Sequence, residues 1–169
     1  MKKAKIFLFF FFALFFLIHP KIHFDEFFTD KTMRIDYFHI ADKESELFTI
    51  DRIYVQGIWA GSLTNLIDRF NNGSYYIKVF DLATARLSFS RGFGSYCQEY
   101  RTTDPAIKGI KRTFHETALI PAPKNKIRFV IESRNRKNLL SPVFDCIIDP
   151  SSVEINRESP SPGTKIIQI

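Results

Sequence analysis

Cysteine, glycine and long apolar runs are all scarce in this 169-residue sequence, and each scarcity excludes something. Two cysteines, Cys97 and Cys146, cannot make the dense disulfide scaffold of a small secreted module. Neither has a His or a second Cys at ligand spacing, so the pair offers no zinc site. Seven glycines rule out a collagen-like repeat, and Gly92 and Gly94 precede no helix start that could cradle a phosphate. A hydrophobic fraction of 45% rules out wholesale disorder. The longest apolar run, residues 6–18, has 13 residues. As a helix rising about 1.5 Å per residue it spans roughly 20 Å, short of a hydrocarbon core of about 30 Å.

What is abundant is phenylalanine, with 19 residues, and positive charge, with a net +6. Both depend on position. Ten of the Phe precede residue 29 and seven lie within residues 6–18, directly after Lys2, Lys3 and Lys5. A basic start, a short apolar run and a close at His19-Pro20 have the layout of a secretory signal peptide. Residues 1–19 are therefore read as a signal peptide. Retention as an uncleaved anchor stays open, because no A-x-A pattern of small residues follows Ile18. The expected location is exported: periplasmic, cell-surface or secreted. Without this segment the net charge is +3 and the composition is ordinary.

From residue 30 onward the apolar pattern repeats every two residues, as in Met33, Ile35 and Tyr37 alternating with Arg34 and Asp36. Further strands are predicted at 47–56, 75–82, 86–91, 113–120, 126–133 and 143–148. Turn signals separate them at Asn71-Asn72-Gly73, Asp104-Pro105 and residues 121–125. Asn72-Gly73-Ser74 also fits a glycosylation sequon, but a hairpin turn is the stronger reading. Helical turns are predicted only at 62–70 and 105–110. The expectation is an all-β fold, an antiparallel β-sandwich of about seven to eight strands over residues 24–150. Residues 151–169 read as a polar linker that turns apolar again at KIIQI, which predicts the start of a following domain.

The chemistry-bearing residues assemble into no motif. His115-Glu116 opens like a zincin helix, but position 119 is Leu rather than His, and the segment reads as a strand with an exposed His and Glu. Ser62 and Ser90 lack a nucleophile elbow. Cys97 could act as a thiol nucleophile with His39 or His115 as base, although nothing in the sequence activates it. Asp36, Asp51 and Glu99 are candidates for carboxylate pairing in space. The two cysteines, expected on separate strands, could close a loop of about 50 residues, stabilising by roughly 4 kcal/mol, or could stay free as small buried side chains. Basic clusters at 108–112 and 134–137 read as solvated loops rather than a nucleic-acid footprint. Trp59, Tyr75, Tyr76, Tyr96 and Tyr100 could form a sugar platform, but core packing is the stronger reading.

Five segments read together: TMRIDYFHI (32–40), IYVQGIWAGSLTNLID (53–68), the stretch 73–106 with SRGF, QEY and TTD, RTFHETALIPAPK (112–124) and VIESRNRKN (130–138). In order and spacing they resemble the N-terminal domain of the IgA-peptidase-type zinc metallopeptidases of bacteria (metallopeptidase family sixty-four). The resemblance covers roughly residues 24–150. The family often has Trp where this chain has Tyr100. The resemblance implies a β-sandwich ahead of a peptidase domain that carries HExxH; no residue of this chain matches those zinc ligands or the catalytic Glu. It suggests structural jobs for Gly57 and Gly61 around Trp59, for Gly92 at a strand end, and for the charge pairs Arg34–Asp36 and Arg91–Glu99. Pro121 and Pro123 suit an extended, edge-protected connection.

The sequence thus predicts an exported, non-enzymatic accessory or binding β-sandwich, whose full-length relatives would be zinc metallopeptidases. Catalytic, cofactor and metal residues are all assigned as none. Expected partners are a peptidase domain, an extracellular protein or a glycan, with no nucleic acid and membrane contact only through the N-terminal segment. The alternative is a stand-alone surface adhesin or glycan-binding module. An exposed aromatic row on one sheet would mark it.

Overall fold

The computed structural model describes residues 22–157, so the predicted export segment and the terminal KIIQI lie outside the described residues. Two four-stranded sheets face each other. The first has the order β5-β1-β2-β8, built from β1 (Phe28–Ala41), β2 (Glu46–Gln56), β5 (Arg112–Pro123) and β8 (Ile155–Asn156). The second has the order β4-β3-β6-β7, built from β3 (Tyr75–Asp81), β4 (Leu87–Phe93), β6 (Ile127–Arg134) and β7 (Leu140–Ile148). All pairings are antiparallel except the short parallel contact of β8 with β2. The predicted β-sandwich is what forms.

Period two explains the core. Met33, Ile35, Tyr37, His39 and Ala41 of β1 all point inward, and each is at most 1% exposed. Ile77 and Val79 of β3, Ala118, Ile120 and Ala122 of β5, and Ile127, Phe129 and Ile131 of β6 meet them. On β2 the count is interrupted by a bulge opposite Asp36 and Tyr37. Phe48 and Ile50 face the core before it, and Ile53 and Val55 after it.

Each hairpin turn is fastened by one short acidic or amide side chain. Asp42 Oδ1 accepts from the backbone of Glu44 and Ser45 at 2.9 and 2.7 Å, closing β1–β2. Asp81 Oδ2 accepts from Thr84 N and Oγ1 at 2.9 and 2.8 Å, closing β3–β4. Asn135 Oδ1 accepts from Lys137 N and Leu139 N at 2.9 and 3.0 Å, closing β6–β7. These side chains imitate a backbone turn, which is why Asp and Asn favour such places.

Several expectations change. Residues 62–70 are not helical, because local side chains capture the donors a helix would use. Ser62 Oγ accepts from Thr64 N and Asn65 N, and Asp68 Oδ1 accepts from Phe70 N. Cys97 lies on a helix, α2 (Tyr96–Tyr100), rather than on a strand; α1 (Phe24–Phe27) and α3 (Asp104–Ile107) are the other short helices. Both cysteines are free, Cys97 buried and Cys146 half-buried. Pro121 and Pro123 continue β5 to its end, and the turn begins only at Lys124. They can do so because β5 is an edge strand, where a missing N–H breaks no ladder on the open side. Ile155 and Asn156, within the stretch read as a linker, form β8.

Asn72-Gly73 is no hairpin turn either, since β2 and β3 belong to different sheets. It lies in the crossover 57–74 and is fastened by Arg134. The guanidinium donates to Gly73 O at 2.8 Å, to Asn71 O and Oδ1 at 3.1 and 2.7 Å, and to Asn138 O and Oδ1 at 3.1 and 3.0 Å. Arg134 is thus a clamp rather than a solvated loop residue. Removing it by Arg134→Ala is expected to lower the unfolding free energy by about 2 kcal/mol, the worth of about one hydrogen bond from a charged group, since only the bond to Gly73 O is part-buried and the other four are exposed. The neighbouring exposed Arg136→Ala is expected to stay within about 0.5 kcal/mol of the parent. Equal urea midpoints for the two variants would refute the clamp.

Candidate functional site

The same alternation that builds the core carries three titratable residues into it. His39 follows Tyr37 by two on β1, Glu116 precedes Ala118 by two on β5, and Glu46 precedes Phe48 by two on β2. In the sheet register His39 lies opposite Phe48 and Phe114. Glu46 and Glu116 are therefore its diagonal neighbours on either side, close enough for long side chains to meet.

They do meet. His39 is 0% exposed. Its Nε2 lies 3.2 Å from Glu46 Oε2 and its Nδ1 lies 3.3 Å from Glu116 Oε2. Tyr75 Oη donates to Glu46 Oε2 at 2.8 Å, and Arg101 Nη1 lies 3.0 Å from that same oxygen. Ser95 Oγ donates to Glu116 Oε1 at 2.5 Å while accepting from Cys97 N at 3.1 Å, so it also caps α2. Phe48 stacks on the imidazole at 4.0 Å between ring centroids, and Tyr75 meets it edge-on at 5.5 Å.

The charges fit this geometry. Burial alone would pull His39 down, but hydrogen bonds to Cys97, Glu116 and Glu46 outweigh it and push the imidazole up to about 10. Burial likewise acts to raise both glutamates. For Glu46 the bonds from His39 and Tyr75 and the Arg101 charge win, and for Glu116 the bonds from His39 and Ser95 win. Both carboxyls stay below the usual glutamate range. Burial and the neighbouring carboxylates push Tyr37 and Tyr75 upward, keeping both phenols neutral. Two carboxylates thus meet one imidazolium and one guanidinium, and the cluster balances internally.

Chemically this arrangement is closed. A general base needs a free lone pair within reach of a substrate proton. Both nitrogens of His39 face carboxylates, and Cys97 beside it is fully buried. Among the described residues, no three His, Cys, Asp or Glu side chains are placed to hold a metal ion. The reading of Glu116 as an exposed sheet residue is overturned, because its side chain is only 16% exposed. His115 points the other way and pairs with Asp51 at 3.2 Å. Asp36 pairs with Arg34 at 3.0 Å and accepts from Thr117 at 2.8 Å. Glu99 lies exposed on α2 and forms no ion pair with Arg91. No carboxylate pair comes from Asp36, Asp51 and Glu99; the acidic residues that converge are Glu46 and Glu116. Of the five candidate platform rings, Trp59, Tyr75, Tyr76 and Tyr100 are buried and only Tyr96 is open, at 66% exposure. Among the described residues these rings form no solvent-facing aromatic row.

The surface feature of substance lies elsewhere. A groove of about 1490 Å³ runs between the crossover 57–74 and β4. Trp59 stands edge-on to Phe89 at 5.9 Å, and its Nε1 donates to Ser62 O at 3.3 Å. Gly61 sits against the indole so closely that a Cβ there would lie 2.2 Å from the ring. The crossover also hydrogen-bonds the free side of β4. Ser90 N donates to Leu66 O at 2.9 Å, and Asp68 N donates to Ser90 O at 3.2 Å. Asp68 Oδ2 accepts from Gly92 N at 2.8 Å, an approach that a side chain at position 92 would obstruct. Burial acts to raise Asp68, but backbone donors from Gly92 and Phe70 hold its carboxyl below the usual range.

The buried cluster makes stability depend on pH in a defined window. The folded protein keeps a proton on His39 that the unfolded chain releases above about pH 6.5, so this contribution is complete below 6.5 and fades toward pH 10. The glutamates act oppositely. Their contribution is complete above about pH 4.5 and is lost as the pH falls. Urea unfolding is expected to show greatest stability between about pH 4.5 and 6.5 and a decline already visible by pH 9, before the tyrosines titrate. His39→Ala is expected to remove that decline and to cost about 3–5 kcal/mol, the penalty of stranding one side of a buried ion pair. Stability that is flat or rising from pH 6.5 to 9 would contradict the assignment.

The model of the family described as "Peptidase M64 N-terminus" matches residues 23–145. No curated protein matches the chain.

Proposed function

The chain belongs to the peptidase M64 N-terminus family, and from that premise we propose that it is an exported, non-catalytic accessory module for a zinc peptidase. The family match over residues 23–145 is the observation that carries this reading. Two features support it. The buried cluster around His39 spends its donors and acceptors on itself, as a structural element does and a catalytic site does not. The basic, short apolar N-terminal stretch has the layout of an export signal. The role that follows is mechanical: a rigid sandwich that packs against a peptidase domain or presents it to an extracellular partner. The glycan-binding alternative has no support in the aromatic side chains, since four of the five candidate rings are buried.

Purified full-length chain is expected to cleave no protein substrate with or without added zinc. In its native host, a C-terminally tagged chain is expected outside the cytoplasm, and its intact mass separates cleavage near His19 from retention of the segment. Chelator-sensitive proteolysis by the purified chain, or a purely cytosolic location, would overturn this proposal.

A further inference from the structure

We propose that the groove along β4 binds an extended peptide segment carrying both acidic and apolar side chains. Buried Trp59, Leu66 and Phe89 form its floor, and the half-buried Ile22, Ile67 and Leu87 give it an apolar lining. At its margin Phe70 is 84% exposed, on a crossover whose backbone is otherwise tied down. A large ring that open, beside an apolar groove, is the kind of surface that association covers.

The charges select the partner. Arg69, Arg86 and Arg91 line the groove, and Arg86 is already paired with Glu26 at 2.6 Å. Arg69 and Arg91 are exposed, and their side chains form no ion pair or hydrogen bond among the described residues. The lone acidic side chain in the lining, Asp68, is saturated by backbone donors from Gly92 and Phe70. Two exposed guanidinium groups on groove-lining residues are therefore without an anion, and such forks favour carboxylates in two-point contact. An inward-pointing Arg can also serve to block edge-to-edge pairing of strands. That explanation does not suffice here, because the crossover already occupies the middle of the β4 edge and Arg69 is not on a strand. The smaller cleft at the β5–β6 turn differs in this respect. Lys126 pairs there with Asp149 at 3.0 Å, and Lys124 donates to Asp25 O.

Size and position agree. The groove follows β4, whose seven residues span about 23 Å at 3.3 Å per residue, and the crossover bonded at Ser90 and Gly92 forms its other wall. Two free cations are too few for a nucleic-acid footprint, which typically engages several phosphates. β4 and β7 are opposite edges of the second sheet, about 14 Å apart at about 4.8 Å per strand spacing. β2 packs over β7 through Phe48 and Phe144, and β8 lies beside β2. The groove thus lies across the sandwich from the last described residues, so a peptide there need not compete with a domain packed near β8. The proposal stands whether or not a peptidase partner is found, because binding alone tests it.

Trp59 is the protein's single tryptophan and lines the groove, so it reports directly. Full-length protein is titrated with a fluorescein-labelled hexapeptide of alternating Glu and Leu, and with a Gln–Leu counterpart. Expected are saturable anisotropy, a shift in Trp59 emission with the unlabelled Glu peptide, and binding at least tenfold weaker for the Gln peptide. Arg69→Gln combined with Arg91→Gln is expected to weaken the Glu peptide at least tenfold while leaving circular dichroism and the urea midpoint unchanged. Equal binding of both peptides, indifference to the arginine substitutions, or no change in Trp59 emission would each overturn the proposal. So would full competition by a short single-stranded DNA or by anionic phospholipid vesicles, which would mark a site for polyanions or membranes instead.

Discussion

The contact on which the molecule most depends is the imidazolium of His39 held between Glu46 and Glu116. It joins the three main strands of the first sheet: β1 supplies the cation and its two neighbours supply the anions. Tyr75 extends it to the second sheet, and Ser95 and Arg101 extend it to the crossover that carries α2. Arg101 goes on to donate to the backbone oxygens of Asp42 and Lys43, so the β1–β2 hairpin is tied to α2 as well. Charges this deep gain stability only when every partner is present, since desolvation opposes them throughout. They also fix register, because a one-residue slip of β1 would turn His39 to the opposite face and strand both carboxylates. An apolar cluster in the same place would tolerate several arrangements, whereas this one tolerates a single pairing.

Much of this was legible in the sequence, and the illegible part has definite physical causes. Alternation along β1, β3 and β6 marks strands directly, but the inward face of Glu116, read as exposed, and of Glu46, just outside the predicted strand 47–56, emerged only in the structure. Their meeting was hidden because parity says which face a residue takes but not which strands are neighbours. The bulge at Asp51 hides more, since it shifts the inward count on β2 by one. Residues 62–70 have helical spacing on paper, but Ser62 and Asp68 bind the very backbone donors that a helix would need. Pro121 and Pro123 look like breakers until β5 is known to be an edge. In each case the missing information is tertiary: who lies alongside.

The family assignment and the geometry are consistent for a physical reason. A catalytic acid–base group must leave one lone pair or proton unspent and reachable, at a cost in stability. This chain does the reverse with the residues that most resemble catalytic ones. His39, Cys97 and Glu116 sit together, yet the imidazole is bonded on both sides and the thiol is sealed under α2. The arrangement spends its reactive groups on rigidity, consistent with membership of a peptidase N-terminus family.

Where such a module meets other molecules follows from its connections more than from its strands. The hairpins are closed by Asp42, Asp81 and Asn135, whose side-chain oxygens are occupied by backbone donors. The crossover 57–74 must instead span the two sheets, and it does so by lying along an edge strand. It covers the middle of that edge by hydrogen bonds at Ser90 and leaves a trough between its own body and β4. Buried Trp59 and Leu66 fix the trough's shape, while exposed Arg69, Phe70 and Arg91 keep their side chains free. Rigid support beneath unsatisfied functional groups is the combination that lowers the entropic cost of recognition. In this sandwich it occurs at the crossover, on the side away from β8.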